Sequence, residues 1–330
     1  MMTYTQLVES FPKISSISLG SWNTFSRLKF EDGMALVRQA LDLGINFFDV
    51  GYYWDKPHTE IIFGRILQVL APPRDGYVLA EKLWLWDYPA QSFKSQLQQA
   101  LIRLAVDYVD LVMVSRPTPE TDFNSFCEEI VTLVDLGLTR GWGATNWEPE
   151  QIRRAQVYLG ERGKAQPLLV QLQYNLARRT IVEGAEFSRL FAETGIRLCA
   201  AHTMEGGILA GHLNRDRVDP SAAAMGKVPV DRNIARDAGG VRDRIRANYP
   251  ILKETASRFK ATPAQIAIAA VLANKATATA LIGVTRASNL EEDIGAIKLL
   301  DRGEELLAAI APLAIDSVAH PRLFDPIKNE

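Results

Sequence analysis

"NFFDVGYYWDKPHTE", residues 46–60, passes from an apolar strand-like run to the opening of a helix within one short loop. The run 45–50, "INFFDV", shows no alternation of polar and apolar residues, as expected of a strand covered on both faces. From residue 58 the apolar positions change to helical spacing, up to about residue 70. The same change recurs along the chain. Seven further apolar runs have strand length: "SISLG" (16–20), "YVLAEKL" (77–83), "YVDLVMV" (108–114), "TRGWGAT" (139–145), "PLLVQLQY" (167–174), "IRLCAA" (196–201) and "TALIGV" (279–284). Helical segments follow near 31–43, 58–70, 90–105, 122–137, 148–160, 181–194, 263–275 and 287–297. The helix ends are marked too: "TPAQ" (262–265) is a capping box with proline at the first helical position. Gly44 and Gly137 stop two helices.

Strands alternating with helices in this way predict a (β/α)8 TIM barrel. An open doubly wound sheet needs a glycine-rich first turn, and "LGSWNTF" (19–25) is no G-x-G-x-x-G. Residues 212–245 are long and polar, and read as a loop over one mouth after the seventh strand. A further helix near 301–313 follows the barrel. No linker-like shift of composition interrupts residues 1–330, so one domain is expected.

Composition narrows the function classes. With 47% hydrophobic and 23% charged residues among 330, a large core is feasible. The net charge of -2 without a basic block argues against nucleic-acid and membrane-surface partners. No apolar run is long enough to span a bilayer, and "MMTYTQLVESFPK" lacks signal-peptide character. Cys127 and Cys199 lie in apolar-periodic segments and read as buried free thiols; neither a disulfide nor a metal site is expected. A soluble cytoplasmic protein with a small-molecule partner is the expectation, and the sequence assigns no oligomeric state.

In such a barrel the chemistry lies where strands run into their following loops. Trp22 follows the first strand and Asp49 to Trp54 the second. Lys82, Trp84 and Trp86 follow the third. Ser115 and Arg116, then Asn146 and Trp147, then Tyr174 and Asn175 follow the next three. His202 follows the seventh, and Thr285 and Arg286 the eighth. Five of the six tryptophans fall at this face. Trp22, Tyr53, Trp54, Trp84, Trp86 and Trp147 are therefore expected to wall a pocket for an apolar or ring-containing ligand.

Several stretches together carry a family resemblance: "GINFFDV" with "HTEIIFG", "VLAEKLW", "VDYVDLVMVSRP", "GATN", "QLQYN", "GGILAG" and "IGVTRASNLEEDIGAI". In this order and spacing the chain resembles an aldo-keto reductase over essentially its whole length. The resemblance implies hydride transfer from NADPH to a carbonyl, without a metal. It also implies a proton-donating tyrosine tuned by a lysine–aspartate pair, and a histidine that orients the carbonyl. Hydride addition creates an alkoxide that must be neutralised, and a phenol serves only when a cation lowers its pKa.

Carried over position by position, the aspartate is Asp49 and the lysine Lys82. The tyrosine position falls on Trp54 and the histidine position on Ser115. An indole N–H donates a hydrogen bond but does not release its proton near neutrality. Three substitutes stay open: Tyr53 one residue earlier, Lys82 itself as acid or Schiff-base nucleophile, and His202 from another side.

The resemblance also implies a cofactor site. Thr145, Asn146 and Gln171 would meet the carboxamide, and Gly20, Ser21 and Trp22 the approach to the ring. After the seventh strand, His202 and the loop "TMEGGILAG" (203–211), with Gly206, Gly207 and Leu209, would close over the diphosphate. Gly283, Thr285, Arg286, Asn289 and Asp293 would form the adenosine end, where Arg286 favours NADPH over NADH. Ala201 stands where the family stacks an aromatic ring on the nicotinamide, a loss of roughly 1–3 kcal/mol by analogy with other base–aromatic stacks. Three readings follow: a reductase of a carbonyl or imine with atypical proton delivery, a non-redox lyase, dehydratase or isomerase using Asp49 and Lys82, and a catalytically inactive NADPH-binding protein.

Overall fold

The computed structural model describes residues 1–22, 24–53, 58–85, 88–214 and 241–316. A two-stranded antiparallel hairpin, β1 (Tyr4–Thr5) and β2 (Ile14–Ser15), comes first. Eight parallel strands follow: β3 (Ile17–Gly20), β4 (Phe47–Asp49), β5 (Val78–Leu83), β6 (Val109–Ser115), β7 (Thr139–Thr145), β8 (Leu169–Gln173), β9 (Arg197–Ala201) and β10 (Thr277–Ile282). They pair in chain order, and β10 closes on β3 to complete the barrel. Each of the eight expected strands is present within a few residues of its predicted limits.

The described helices are α1 (Phe30–Asp42), α2 (Thr59–Leu70), α3 (Phe93–Leu104), α4 (Phe123–Asp135), α5 (Pro149–Gly160), α6 (Thr180–Glu183) and α7 (Ala185–Thr194). Then come α8 (Val241–Phe259), α9 (Pro263–Leu272), α10 (Ala287–Ile294) and α11 (Gly303–Ile310). The starts of α3, α4 and α9 are capped by side chains that accept from the first N–H groups. Asp122 accepts from the backbone N–H groups of Asn124 and Ser125, and Thr262 and Gln265 form the expected capping box. Gly44 and Gly137, at φ +83 and +70, let the chain leave α1 and α4 in the left-handed conformation.

Strand alternation builds two apolar layers. One face of each strand packs against the helices in a continuous core that includes Phe48, Leu79, Val112 and Val170. The other face fills the barrel with Phe47, Val78, Leu111, Met113 and Leu169, and Phe11 and Ile14 from the hairpin region join this interior cluster. Fully burying a side chain of this size stabilises the fold by about 1.5–3 kcal/mol. Two residues beyond this layer, the inward positions turn polar: Asp49 after Phe47, Lys82 after Ala80, Gln171 after Leu169. The period of two thus raises a charged layer directly on the apolar one.

Two expectations change. The sequence pattern predicts no helix over 246–262, yet α8 occupies most of it and begins inside 212–245, the stretch expected to be loop. Val241, Ile245, Leu252, Ala256 and Phe259 are its buried stripe. Pro250 lies inside that helix and, with the dense charge around it, masks the periodicity. The rest of the expected long loop, 215–240, lies outside the described residues. The further C-terminal helix is present as α11, flanked by 3-10 turns at Gly295–Arg302 and Ala311–Leu313.

Candidate active site

Three inward residues at the ends of β4, β5 and β8 form a closed polar triangle. The Lys82 ammonium lies 2.9 Å from Asp49 Oδ2 and donates to Gln171 Oε1 at 2.6 Å. Gln171 Nε2 donates to the same Asp49 oxygen at 2.9 Å, and its contact with Cys199 Sγ is 3.5 Å. Asp49 is 1% exposed and Lys82 9%. Burial, with the Asp49 charge nearby, pushes the Cys199 thiol up to about 12, so it stays protonated beneath the triangle. The other carboxylate oxygen, Asp49 Oδ1, is buried and makes no hydrogen bond among the described residues. Gln171 also lines the cleft, where the resemblance implies a carboxamide contact, and its amide bridges the ion pair.

Tyr53 faces the cleft above this triangle. A Cβ on Gly51 would lie 3.2 Å from Lys82 Cβ and Cγ, and 3.4 Å from Tyr53 Cζ, the carbon that carries the hydroxyl. The phenol end of Tyr53 and the stem of Lys82 thus both lie close to Gly51, where an added Cβ would make its neighbours shift by a few tenths of an ångström. Trp84 meets Tyr53 edge-on, with ring centroids 6.1 Å apart. Trp54 and Trp86 lie outside the described residues. Trp147 is not a pocket wall: it is fully buried among Phe123, Phe126 and Trp142, with its indole N–H on the Val114 carbonyl. Ser115 is likewise buried at the end of β6 and does not line the cleft.

From Lys82 the cleft, of about 310 Å³, runs past β9 to the start of α10. Gly20, Thr145 and Asn146 border its reactive end with Trp22. The Ser21 and Thr145 hydroxyl oxygens are buried there without a hydrogen-bond partner among the described residues. Ala201 supplies no ring, but Trp22 and His202 face each other across the mouth, with centroids 5.8 Å apart. Burial lowers the His202 pKa to about 4, so its ring is neutral at pH 7.

The loop after β9 is tied down by Glu205, whose carboxylate is fully buried. Arg178 grips both of its oxygens, at 2.9 and 3.0 Å, and Asn175 donates to one at 2.9 Å. Burial alone would raise this carboxyl, but the Arg178 charge and hydrogen bonds prevail and hold it down at about 2. Next to it, Gly206 and Gly207 have φ of +67 and +100 and line the cleft, whereas Leu209 is buried in the core. At the far end Gly283, Thr285, Asn289 and Asp293 line the cleft, together with Glu292. Arg286 is the exposed N-cap of α10 and does not line it. Burial and the neighbouring Glu292 raise the Asp293 carboxyl to about 7.

Sequence reasoning missed Arg242, Gln173 and His212, which also border the cleft, as does Met204 of the glycine loop. Arg242 opens the unanticipated α8, so its position followed from a helix the reading had not placed. Among the described residues, no group of three or more His, Cys, Asp or Glu is arranged to hold a metal ion, and no helix is long and apolar enough to cross a membrane.

A closed eight-stranded barrel with a buried aspartate–lysine pair beneath a long cleft agrees with the family that the sequence motifs suggest. The model of the Aldo/keto reductase family matches residues 16–311, and the chain belongs to that family. Two sequence relatives are each described as "Probable voltage-gated potassium channel subunit beta". The one from Arabidopsis thaliana is 26% identical over 326 residues, covering 96% of this chain and 95% of the relative. The one from Oryza sativa subsp. japonica is 27% identical over 332 residues, with the same coverage. Two solved structures share the fold, both aldo-keto reductases from Klebsiella pneumoniae and each covering 92% of both chains. The complex with NADPH has TM-score 0.69 at 18% identity, and the complex with NADP and acetate 0.68 at 19%.

Proposed function

We propose that this protein is an NADPH-dependent oxidoreductase that reduces a carbonyl or imine on an apolar or ring-containing small molecule, with Tyr53 in place of the usual proton donor. The observation that carries the reading is the Asp49–Lys82–Gln171 triangle opening into a cleft that Tyr53 borders. The residues fit the cofactor. The unpartnered Ser21 and Thr145 hydroxyls suit a polar amide, and the glycine loop at 206–207 suits a diphosphate. Thr145 and Asn146 would hold the carboxamide, and Thr285 and Asn289 the adenosine. When bound, NADPH supplies the hydride.

The chain's own residues do the rest. The Tyr53 hydroxyl gives its proton to the alkoxide or amide anion that forms. Lys82 stabilises the phenolate left behind, and Asp49 holds Lys82 in place. Gln171 locks the lysine. Lys82 and Trp84 also border a second, polar cavity of about 240 Å³ with His58 and Glu60, which supports reprotonation from water. Trp22, Trp84 and the neutral His202 form an apolar surround that suits a ring. Two buried free cysteines fit a reducing, cytoplasmic setting, and the reading takes residues 1–330 as one domain.

The test is a titration of the full chain with NADPH, followed by tryptophan emission and calorimetry, and then a panel of aldehydes, quinones and imines. Saturable binding with cofactor consumption is expected; no binding would remove the reading. A second reading is supported by the residues at 54 and 115 and by the names of the plant relatives: an NADPH-binding protein that associates with a channel and does not turn over. Binding without consumption of NADPH across the whole panel favours it.

A further inference from the structure

We infer that His58 is the group through which protons from solvent reach Lys82, by way of the second cavity. The inference deepens the reductase reading and rests on it. Each reduction takes one proton from Tyr53 and leaves a phenolate, so one proton must return before the next turnover. Lys82 borders not only the cleft but also the cavity of about 240 Å³, which has room for several waters. His58 lines that cavity too and is half-buried. Its Nδ1 is buried and has no hydrogen-bond partner among the described residues. An imidazole takes up and releases a proton near neutrality, which suits a carrier between solvent and a buried amine. The imidazolium N–H gives its proton to a cavity water, a proton of that water restores Lys82, and Lys82 restores the Tyr53 hydroxyl. The neutral ring then takes a proton from solvent, and no electrons change hands.

The other ionisable groups that face this cavity are engaged elsewhere. Glu60 accepts from Arg103 through Nε and, at 3.1 Å, through Nη2. Tyr52 lies against the His58 ring, with centroids 5.3 Å apart, and under the Arg103 guanidinium at 5.1 Å. Lys82 is held by Asp49 and Gln171. The wall between the two cavities is fixed as well: the Gln96 amide spans the Trp84 backbone, accepting from its N–H at 2.9 Å and donating to its carbonyl at 2.8 Å. His58 is the N-cap of α2 but makes no side-chain cap hydrogen bond, so its ring is not spent on the helix start.

Wild type and His58→Ala are compared as full chains with NADPH and benzaldehyde, in dilute phosphate buffer with and without added imidazole, a small base that fits the space the ring vacates. NADPH titration and thermal melting check the cleft and the fold. Steady-state turnover of His58→Ala is expected to fall roughly 10-fold. That is less than the loss of about 10²-fold or more from removing a proton donor in contact with substrate, because water alone still reaches the cavity. The first turnover, which uses the proton already on Tyr53, should keep its wild-type rate, NADPH affinity should hold, and imidazole should restore most of the loss. If the alanine variant does not fold, His58→Asn, which suits a helix N-cap and carries no titratable ring, is read in its place. Turnover that stays at the wild-type rate in dilute buffer, or a loss that imidazole leaves unrepaired, overturns the relay and leaves the reductase reading standing. Wild type that binds NADPH but consumes none with benzaldehyde or the rest of the panel removes the reductase reading and the relay with it.

Discussion

Two buried charge clusters border the same cleft and are built on opposite plans. At the end of β5, one ammonium meets one carboxylate and one amide, and one carboxylate oxygen keeps no partner among the described residues. Beyond β9, one carboxylate meets two guanidiniums and the amides of Asn175 and Gln173. The first arrangement leaves hydrogen-bonding capacity unfilled beside an accessible space, which is what a proton-handling site needs. The second is saturated, and its acid is held at about 2. A chain that keeps both has separated the parts that react from the parts that hold a loop in place.

Removing one partner from each cluster should break different properties. The largest effect is expected from Lys82→Met. Without the ammonium, Tyr53 loses the charge that makes its phenol a usable acid, and NADPH-dependent turnover should fall by about 10³-fold or more. Turnover at the wild-type rate would remove the pair from the mechanism. Glu205→Gln acts on stability instead. It strands two buried guanidiniums at a cost of about 3–5 kcal/mol, which lowers the melting temperature at pH 7 by about 5–10 °C. Because the folded pKa of Glu205 is depressed, its contribution is present above the unfolded value near 4.5 and is lost as pH falls towards 2. The gap between variant and wild type should therefore narrow on acidification, and a gap that stays constant from pH 7 to pH 3 would contradict the saturated-cluster description.

Tyr53→Phe sharpens the reactive end alone. It removes one oxygen and leaves the ring packing against Trp84, so melting should hardly change while turnover drops by about 10²-fold. Loss of turnover at unchanged NADPH affinity assigns Tyr53 to the proton; equal loss of both would make it a wall.

The sequence made the barrel legible because both faces of each strand are covered, which leaves an unbroken apolar run that periodicity detects. It also made Asp49 and Lys82 legible, through motif and strand-end position together. What it hid has physical reasons. Trp147 and Trp84 both follow strands, yet one turns into the helix layer and the other borders the cleft, a difference of side-chain direction that residue type does not encode. The hydrogen bonds of Gln171 to Asp49 and Lys82 join side chains from distant strands, a contact made only on closing the barrel. Arg242 was invisible because the charged face of α8 and Pro250 blurred its apolar stripe. Arg286, the cation that pattern favoured for the adenosine end, is solvent-exposed, whereas two carboxyl groups line that end.

Those carboxyl groups set up the smallest effect and a last contrast between the two ends. Asp293 is 4% exposed, and burial together with Glu292 raises its pKa to about 7. A carboxyl whose folded pKa exceeds the unfolded value near 3.8 stabilises the fold fully below that value, and the contribution is lost as pH rises through about 7. This is the opposite sign to Glu205. Asp293→Asn keeps the shape and removes the ionisation, so its melting temperature should match wild type near pH 4 and exceed it at pH 8, by about 2–4 °C. The same variant should hold NADPH more evenly across that range, because ionisation of Asp293 places a second negative charge against an anionic ligand. Melting curves that stay parallel from pH 4 to pH 8 would mean that Asp293 ionises without resistance, and that the far end of the cleft is no less tolerant of charge than the reactive end.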